Sequence, residues 1–442
     1  MTFTAITLRS SVVEHIATSL LQANGTIGLI ATNTVAQGDT REVGLDAMVA
    51  AGFTITRAIQ SRAWPAASAN LEYAALWGTC GPVADHAPRI ADDTPVRRIS
   101  TLLEPAGRVE GNPIRLAENS GIAYIGCYVL GMGFVLDTAE AQEWIAADAR
   151  NAEVLFPYLN GEDLNSHPDA SASRWVIDFN NRSEAEAASY PLPYGRLAEQ
   201  VKAERASKPK AVRDAPWWLF LRARPAMRKA ISELSEVLVI ALVSKTVMPM
   251  RVPSNQVFSH MLGVFATSSF ADQAVLSSSL HQIWAITYGS GMRNDPRYTP
   301  SDVFETFPRP GLTDHLERIG RILDEERREI MIRRNLGLTP LYNLINDGSI
   351  DGGSDPDIAR IRSIHAKLDA AVVNAYGWSD VALEHGFHTY RRMTRWTVCP
   401  IARVEILDRL LEENHRRAAQ GWQAQLSTKK SDVFQQEGTL FD

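Results

Sequence analysis

The stretch GTIGLIATNTVAQGDTREVG, residues 25–44, decides how the amino-terminal part of the chain is interpreted. Its apolar run IGLIATN predicts a buried strand. The polar, glycine-containing run that follows predicts a loop at the carboxyl end of that strand. Open α/β sheets bind their ligands beside the carboxyl ends of strands. The loop is therefore either a cradle for a ligand or an ordinary turn that leads into a helix.

The segments on either side of this strand predict a fragment of an α/β sheet. Residues 10–23 carry apolar residues at helical spacing, and residues 41–52 predict a short amphipathic helix. The runs 53–61 and 71–78 predict an antiparallel hairpin with a long loop. A strand with a fully apolar run needs neighbours on both sides. We therefore expect the remaining strands of this sheet to come from elsewhere.

The pattern changes twice farther along the chain. Residues 81–310 alternate short β-like segments with Pro, Gly, Asn and Asp, which predicts an α+β domain with long loops. Residues 311–420 show helical periodicity, and residues 421–442 form a polar tail. The 442 residues are 45% hydrophobic and 22% charged, as is typical of a soluble protein.

Composition and motifs exclude several classes of function. No apolar run is long enough to cross a bilayer, so no membrane is expected as a partner, and we see no secretory signal. The three widely spaced cysteines suit a reducing compartment, so we expect a cytoplasmic protein. The ten histidines form no HxH or HxxxH pair, and we expect no metal site. Signatures of nucleotide-binding loops and serine hydrolases are also absent.

The loop SRAWPAAS, residues 61–68, is a candidate for contact with a nucleobase. It holds Trp64 and Pro65 close to Arg62. An aromatic side chain on a rigid loop can stack on a base. The alternative is a tryptophan that packs across the end of the sheet.

A basic segment runs from Arg196 to Arg251 in a chain whose net charge is -6. It holds twelve Lys and Arg residues against five Asp and Glu residues, with Trp217 and Trp218 interleaved. This pattern favours contact with a phosphate backbone, and the alternative is a solvated basic face. The candidate DNA-binding residues are Lys202, Arg205, Lys208 and Lys210, together with Arg293 and Arg297 farther along the chain.

Several segments occur in the order found in a large bacterial family. They include GLIATNTVAQGDTREVGLD, SRAWPAAS, FPYLNGEDLNS, RYTPSDVFETFPRP and LDAAVVNAYGW. Over residues 10–415 the chain resembles the long adenine-N6 DNA methyltransferases of type IIG/IIL restriction–modification and related phage-defence systems. In that family, a Rossmann-like sheet binds S-adenosylmethionine, a DNA target-recognition domain follows, and a helical region ends the chain.

The resemblance implies a role for each part of the chain. Residues 1–80 would be the C-terminal part of the methyltransferase catalytic domain, an α/β remnant of its sheet. Residues 81–310 would be the α+β target-recognition domain, which grips double-stranded DNA and reads its sequence. Residues 311–420 would be the helical C-terminal region. Trp64 and Pro65 fall where the family carries the loop beside the flipped adenine, so they would stack on that base. Arg62 would bind DNA together with the other basic candidates.

Two motifs of the family are absent from this sequence. These are the Phe-x-Gly-x-Gly cofactor loop and the catalytic Asn-Pro-Pro-Tyr/Phe tetrapeptide. The near matches at 111–114 (GNPI) and 294–298 (NDPRY) follow the hairpin, whereas the tetrapeptide precedes the strand, so we identify no catalytic residue in this chain. We therefore expect the chain alone to bind no S-adenosylmethionine and to methylate no DNA.

Three interpretations stay open. The chain is one half of a split methyltransferase completed by a separate protein that carries the N-terminal catalytic half. Alternatively, it is a truncated product, or it is a DNA-specificity module that acts without an enzyme. In each case its main contribution would be DNA binding and sequence recognition.

Overall fold

The computed structural model describes residues 25–36, 38–64, 72–81, 83–84, 86–109, 111–292, 295–390 and 393–438. The helix predicted at residues 10–23 lies outside these ranges. The described residues form a mixed α/β fold with five small sheets and several long helices.

The amino-terminal sheet contains β1 (Thr26–Thr32), β2 (Phe53–Ala63), β3 (Glu72–Cys80), β4 (Arg89–Ala91) and β5 (Thr94–Val96). Their order is β1-β3-β2-β4-β5. Both β1 and β2 pair antiparallel with β3, which confirms the predicted hairpin, and β4 pairs parallel with β2. The sheet therefore extends past residue 80, where we expected this unit to end, because β4 and β5 complete it from beyond that boundary.

Strand β1 lies at an edge of the sheet and is not the fully buried strand that its apolar run predicted. Its side chains alternate between half-buried and exposed, and Ile30 is 51% exposed. Ile27 and Leu29 pack against a small core that includes Phe53 and Leu76. Among the described residues, no strand pairs with the other edge of β1. The alternating pattern is that of a strand covered on one face only.

A series of helical turns covers the inner face of this sheet. Its segments are Asn33–Ala36, Gly38–Arg41, Glu42–Asp46 and Ala47–Ala50, and the third is a π-helical turn. Leu45 and Met48 on these turns are fully buried. Gly52, with a φ of 93°, ends the helical series as the sequence predicted.

The central region is built on two four-stranded sheets. The strands are β6 (Ala123–Ile125), β7 (Val135–Asp137), β8 (Leu155–Leu159), β9 (Arg174–Ile177), β10 (Glu236–Ala241), β11 (Met250–Pro253), β12 (Val257–Phe258) and β13 (Leu262–Phe265). One sheet has the order β11-β10-β13-β6 and the other has the order β12-β8-β9-β7. The helices here are Thr138–Ala147, Gly161–Ser166, Glu184–Ala187, Pro191–Gln200, Lys202–Ala206, Lys210–Arg213, Pro225–Ile231, Phe270–Ser277 and Ser279–Tyr288, with short turns at Ala117–Asn119, Met132–Phe134 and Ala149–Glu153.

The carboxyl-terminal region is mainly helical, as its periodicity predicted. Its helices are Asp314–Arg334, Leu338–Ile345, Pro356–Ala375 and Pro400–Gly438. The side chains of Thr313 and Asp355 accept hydrogen bonds from backbone amides of the first turns and so cap two of them. The last helix runs across the boundary predicted at residue 421. No helix among the described residues is both long and apolar enough to span a bilayer.

Two hairpins complete the fold. They are β14 (Ser290–Met292) with β15 (Asp295–Arg297), and β16 (Gly386–Tyr390) with β17 (Met393–Thr397). Most buried apolar side chains of the described residues belong to one of two clusters: a small one on the amino-terminal sheet, and a large one that extends from Val239 and Trp284 to Leu323, Leu368 and Leu410. The central and helical regions therefore share one core, although the sequence pattern suggested separate domains.

Substitution by alanine should change the free energy of unfolding in opposite directions at two glycines inside helices. A Cβ at Gly195 would meet no atom within 4 Å, whereas a Cβ at Gly320 would lie 1.9 Å from the backbone oxygen of Phe270. We expect Gly195→Ala to raise the free energy of unfolding by about 0.5–1 kcal/mol. Gly320→Ala should lower it by about 1–3 kcal/mol, because the two helix backbones must separate. Urea unfolding of both variants measures this, and a Gly320→Ala protein as stable as Gly195→Ala would contradict the packing.

Candidate nucleic-acid interface

One end of the amino-terminal sheet brings together the two segments that the sequence singled out. Thr32, the last residue of β1, lies opposite Tyr73 on one side of β3. Arg62, near the end of β2, lies opposite the same residue on the other side. The loop that begins at Asn33 and the loop that begins at Trp64 therefore leave the sheet at the same end.

Hydrogen bonds to Glu72 hold these segments in place. Its carboxylate oxygen Oε2 accepts from Nδ2 of Asn33 at 3.2 Å and from Oγ of Ser61 at 2.6 Å. Three strand ends are thus tied by one carboxylate. A charged acceptor shared by two donors makes stronger hydrogen bonds than a neutral one, which restricts the position of both loops.

Trp64 shows features of both interpretations that the sequence left open. Its ring contacts Tyr73 edge to face, with centroids 5.5 Å apart, so it does pack at the sheet end. It is nevertheless 37% exposed, which leaves apolar surface for another partner. Arg62 beside it is paired with Asp93 and lowers the pKa of that carboxyl group. Pro65 lies outside the described residues.

The structure gives Arg205 a different role from the predicted one. Its side chain is 1% exposed, and its guanidinium donates to the backbone oxygens of Val129, Leu130, Pro216 and Leu219 at 2.7–3.1 Å. Burial lowers the pKa of Arg205. The prediction that Arg205 contacts DNA is wrong for this conformation, because its donors are used inside the protein.

The three lysines chosen from the basic segment, Lys202, Lys208 and Lys210, are exposed but have partners close by. Lys208 lies 3.9 Å from Glu204, and Lys210 is paired with Asp214. Lys202 lies 4.9 Å from the ring centroid of Trp217. Exposed ion pairs are weak, so all three lysines stay candidates for phosphate contact, with the charges of Lys208 and Lys210 partly neutralised.

Cations without an ion pair to another described residue occur at positions that sequence reasoning did not select. The exposed ones in this region include Arg222, Lys229 and Lys245, and the predicted residue Arg297 belongs with them. The backbone of Val243 bridges that of Arg297, and the amide of Ser244 donates to the oxygen of Pro296. These backbone contacts bring the segment of Lys245 against strand β15, which carries Arg297, and no local sequence pattern indicates this pairing. Arg293 lies outside the described residues.

A polar cavity of about 180 Å³ lies where the helical turns of the amino-terminal sheet meet the end of helix Ser279–Tyr288. The π-helical turn brings Arg41 and Asp46, five residues apart, onto one face. Arg41 donates to Oδ1 of Asn112, and Nδ2 of Asn112 donates to Asp46 at 2.9 Å. The asparagine of the GNPI motif thus joins the sheet to the rest of the chain.

Nothing in the described ranges supplies a metal centre, since no group of three or more His, Cys, Asp or Glu residues is placed to hold an ion. The carboxylate of Asp163, from the segment 157–166, is buried and accepts from Nδ2 of Asn160 and Oγ of Ser173. It therefore stabilises the turn into helix Gly161–Ser166.

Comparisons with known proteins concern the recognition region and the fold. Residues 125–311 match the family model of the MmeI target recognition domain. The fold is similar to that of the type IIL restriction–modification enzyme MmeI, solved in complex with DNA, with a TM-score of 0.68 and 18% identity. This alignment covers 93% of the present chain and 52% of the MmeI chain, so the chain spans about half the length of that protein.

Two further results complete the comparison. The type IIG restriction endonuclease BpuSI aligns with a TM-score of 0.29 and 11% identity, over 81% of this chain and 48% of its own, which is too weak to inform the fold. No curated protein sequence matches the chain.

The contacts of Arg205 predict a loss of stability that is independent of DNA. Arg205→Ala removes a buried side chain and the donors of four backbone oxygens, and we expect the free energy of unfolding to fall by on the order of 3 kcal/mol. Arg205→Lys should recover little of this, because one ammonium group cannot reach all four oxygens. Lys208→Ala is the matched control and should change stability by less than about 0.5 kcal/mol. An Arg205→Ala protein that is as stable as Lys208→Ala in urea unfolding would contradict the structural role of Arg205.

Proposed function

We propose that this chain is a DNA-binding and sequence-recognising part of a restriction–modification system. The observation that carries this proposal is the match of residues 125–311 to the MmeI target recognition domain. The likeness of the fold to a restriction–modification enzyme solved on DNA supports it. The complete system would transfer a methyl group from S-adenosylmethionine to adenine N6 in duplex DNA.

The recognition region offers DNA two kinds of contact. The hairpin β14–β15 carries Arg297, with Arg293 in its connection, and guanidinium groups suit both phosphates and guanine edges. The segment that pairs with β15 at Val243 carries Lys245, which would add a cation for the phosphate backbone. Lys202, Lys208 and Lys210 would contribute to the same electrostatic attraction from another part of the surface.

The end of the amino-terminal sheet would lie beside the base that is modified. Trp64 is exposed there on a strand end that Glu72 holds in place. An adenine turned out of the duplex could stack on this ring, with Pro65 beside it and Arg62 near the backbone. The chain's own residues would thus position the base, while the cofactor and the tetrapeptide would come from a partner.

The open edge of β1 is the expected docking site for that partner. Seven residues of β1 pair on one side only among the described residues, and Ile30 is 51% exposed on the outer face. An edge strand presents backbone donors and acceptors that a strand added from another chain would pair with. A separate protein with the N-terminal catalytic half, including the S-adenosylmethionine site, fits this edge.

The second candidate function is a DNA-specificity module that acts without an enzyme. The match of residues 125–311 to a target recognition domain supports this function as well. The upstream reading frame distinguishes the two functions. A frame that ends in the Asn-Pro-Pro-Tyr tetrapeptide supports the split methyltransferase, whereas a regulator-like neighbourhood supports the specificity module.

Selective binding to duplex DNA tests recognition directly. We expect selection from a random duplex library to enrich one sequence, and Arg297→Ala to weaken binding to it about 5- to 150-fold, the 1–3 kcal/mol of one good base contact. Arg150→Ala removes an equal charge at a site paired with Asp148 and should leave binding unchanged. A protein that enriches no sequence would contradict the recognition function.

Coexpression tests the methyltransferase assignment. We expect modified adenines in DNA from cells that produce both this chain and the upstream protein, and none from cells that produce this chain alone. Sequencing that detects modified bases measures the result. Modification by the chain alone would overturn the split-enzyme interpretation.

Trp64→Ala is the informative variant in that experiment. It should lower adenine modification without changing the sequence that is selected, because stacking acts on the extruded base only. Trp64→Phe keeps an aromatic face and should retain most of the modification. Equal behaviour of the two variants would assign Trp64 to packing against Tyr73.

A further inference from the structure

The polar cavity of about 180 Å³ lies where three parts of the chain meet. The helical turns after β1 contribute Arg41 and Glu42, the segment after the amino-terminal sheet contributes Asn112, and the end of helix Ser279–Tyr288 contributes Tyr288. A cavity of about 150 Å³ is large enough to bind benzene. The present cavity therefore has room for one small ring system, and its polar lining decides which kind of ring it can bind.

Three of the lining side chains have polar atoms that are not used within the described part of the chain. The carboxylate of Glu42 is exposed and makes no hydrogen bond or ion pair to a described residue. The hydroxyl of Tyr288 makes no hydrogen bond to a described residue either, and burial raises the pKa of this phenol, so it stays protonated at neutral pH. Of the guanidinium nitrogens of Arg41, only Nη2 donates a hydrogen bond to a described residue, to Oδ1 of Asn112. Polar groups without an internal partner require an explanation, and a ligand supplies one.

The neighbours of these side chains fix their positions. Arg41 is 5% exposed, and its Nε lies 3.4 Å from a carboxylate oxygen of Asp46. Asn112, which accepts from Arg41, donates to the same carboxylate at 2.9 Å. The ring of Tyr288 contacts that of Trp284, with centroids 4.4 Å apart. A ligand would thus meet groups that are already in place, which lowers the entropy cost of binding.

The charges of the lining favour a neutral ligand. The carboxylates of Glu42 and Asp302 disfavour an anion, and the guanidinium groups of the two lining arginines disfavour a cation. Arg115 and Asp302 lie 3.6 Å apart and form an ion pair, which leaves the acceptor Glu42 and the donor Arg41 for a ligand. Adenine and cytosine carry an amino donor and a ring-nitrogen acceptor side by side on one edge. Carboxylates accept from such amino groups and guanidinium groups donate to such acceptors, so the lining suits the edge of a base.

We propose that this cavity binds one nucleobase with an exocyclic amino group, with Glu42 accepting from that amino group and Arg41 donating to the adjacent ring nitrogen. The hydroxyl of Tyr288 adds a further hydrogen bond to the same base. Arg41 and Glu42 lie outside residues 125–311, the range that matches the target recognition domain. The base comes either from duplex DNA, by extrusion, or from solution as a free base, and both sources offer the same edge. For a base from DNA, the inference rests on the proposed function.

Titration of the full chain with adenine and with purine, which lacks the amino group, tests the assignment. In ligand-observed NMR we expect adenine to bind with a Kd on the order of 0.1–1 mM. Purine should bind about 10-fold more weakly, because the contact to Glu42 is missing. Glu42→Gln should weaken the binding of adenine about 10-fold and that of purine little, whereas Tyr288→Phe should weaken both about 3- to 10-fold. The Tm should not change, because neither substitution removes a hydrogen bond or ion pair to a described residue.

The matched control is Glu325→Gln, which changes an exposed glutamate on helix Asp314–Arg334 without an ion pair to a described residue, and adenine should bind it as it binds the wild type. If adenine binds the wild type, Glu42→Gln and Tyr288→Phe equally well, the cavity assignment is overturned.

A duplex of the selected sequence distinguishes the two sources of the base. If the duplex displaces adenine, the base comes from DNA, and if both bind together, the site takes the free base. A chain that binds the duplex but no adenine contradicts this inference and leaves recognition standing. A chain that binds adenine in the expected pattern but no duplex contradicts the proposed function and leaves the cavity assignment standing.

Discussion

The pairing of β3 with a neighbour on each side is the constraint on which the amino-terminal part depends. Because β1 and β2 both run antiparallel to β3, Thr32 and Arg62 meet at Tyr73. A shift of β1 by one residue would turn Ile27 and Leu29 from the small core toward solvent, so burial fixes the register. Trp64 and the loop after β1 therefore lie at the same end of the sheet because of this pairing.

A set of hydrogen bonds and ion pairs fixes the orientation of this sheet relative to the rest of the chain. Arg108 donates to Glu405 and Glu412 on the last helix, and the backbone of Ile114 exchanges hydrogen bonds with Asn414. Asn112, between them, is held by Arg41 and Asp46. Such contacts are directional, so they define an orientation more sharply than apolar contact of the same area.

Local structure was largely predictable from the sequence, and contacts between distant segments were not. The hairpin β2–β3 and the helical character of residues 314–334 and 356–375 follow from the spacing of apolar residues along the sequence. The pairs Lys208–Glu204 and Lys210–Asp214 follow helical spacing and were readable in principle. The role of Arg205 was not, because the oxygens that it binds lie up to 76 residues away. The half-exposed β1 escaped prediction since an apolar run does not reveal which face is covered.

The separation of the apolar side chains into two clusters has an evolutionary consequence. The two clusters are separate, and polar contacts such as the ion pair of Arg108 with Glu405 link the segment after the amino-terminal sheet to the last helix. Recombination that exchanges one body for a homologous counterpart would need to preserve a few polar partners, chiefly Arg108 and Asn112, and not a whole interlocking interior.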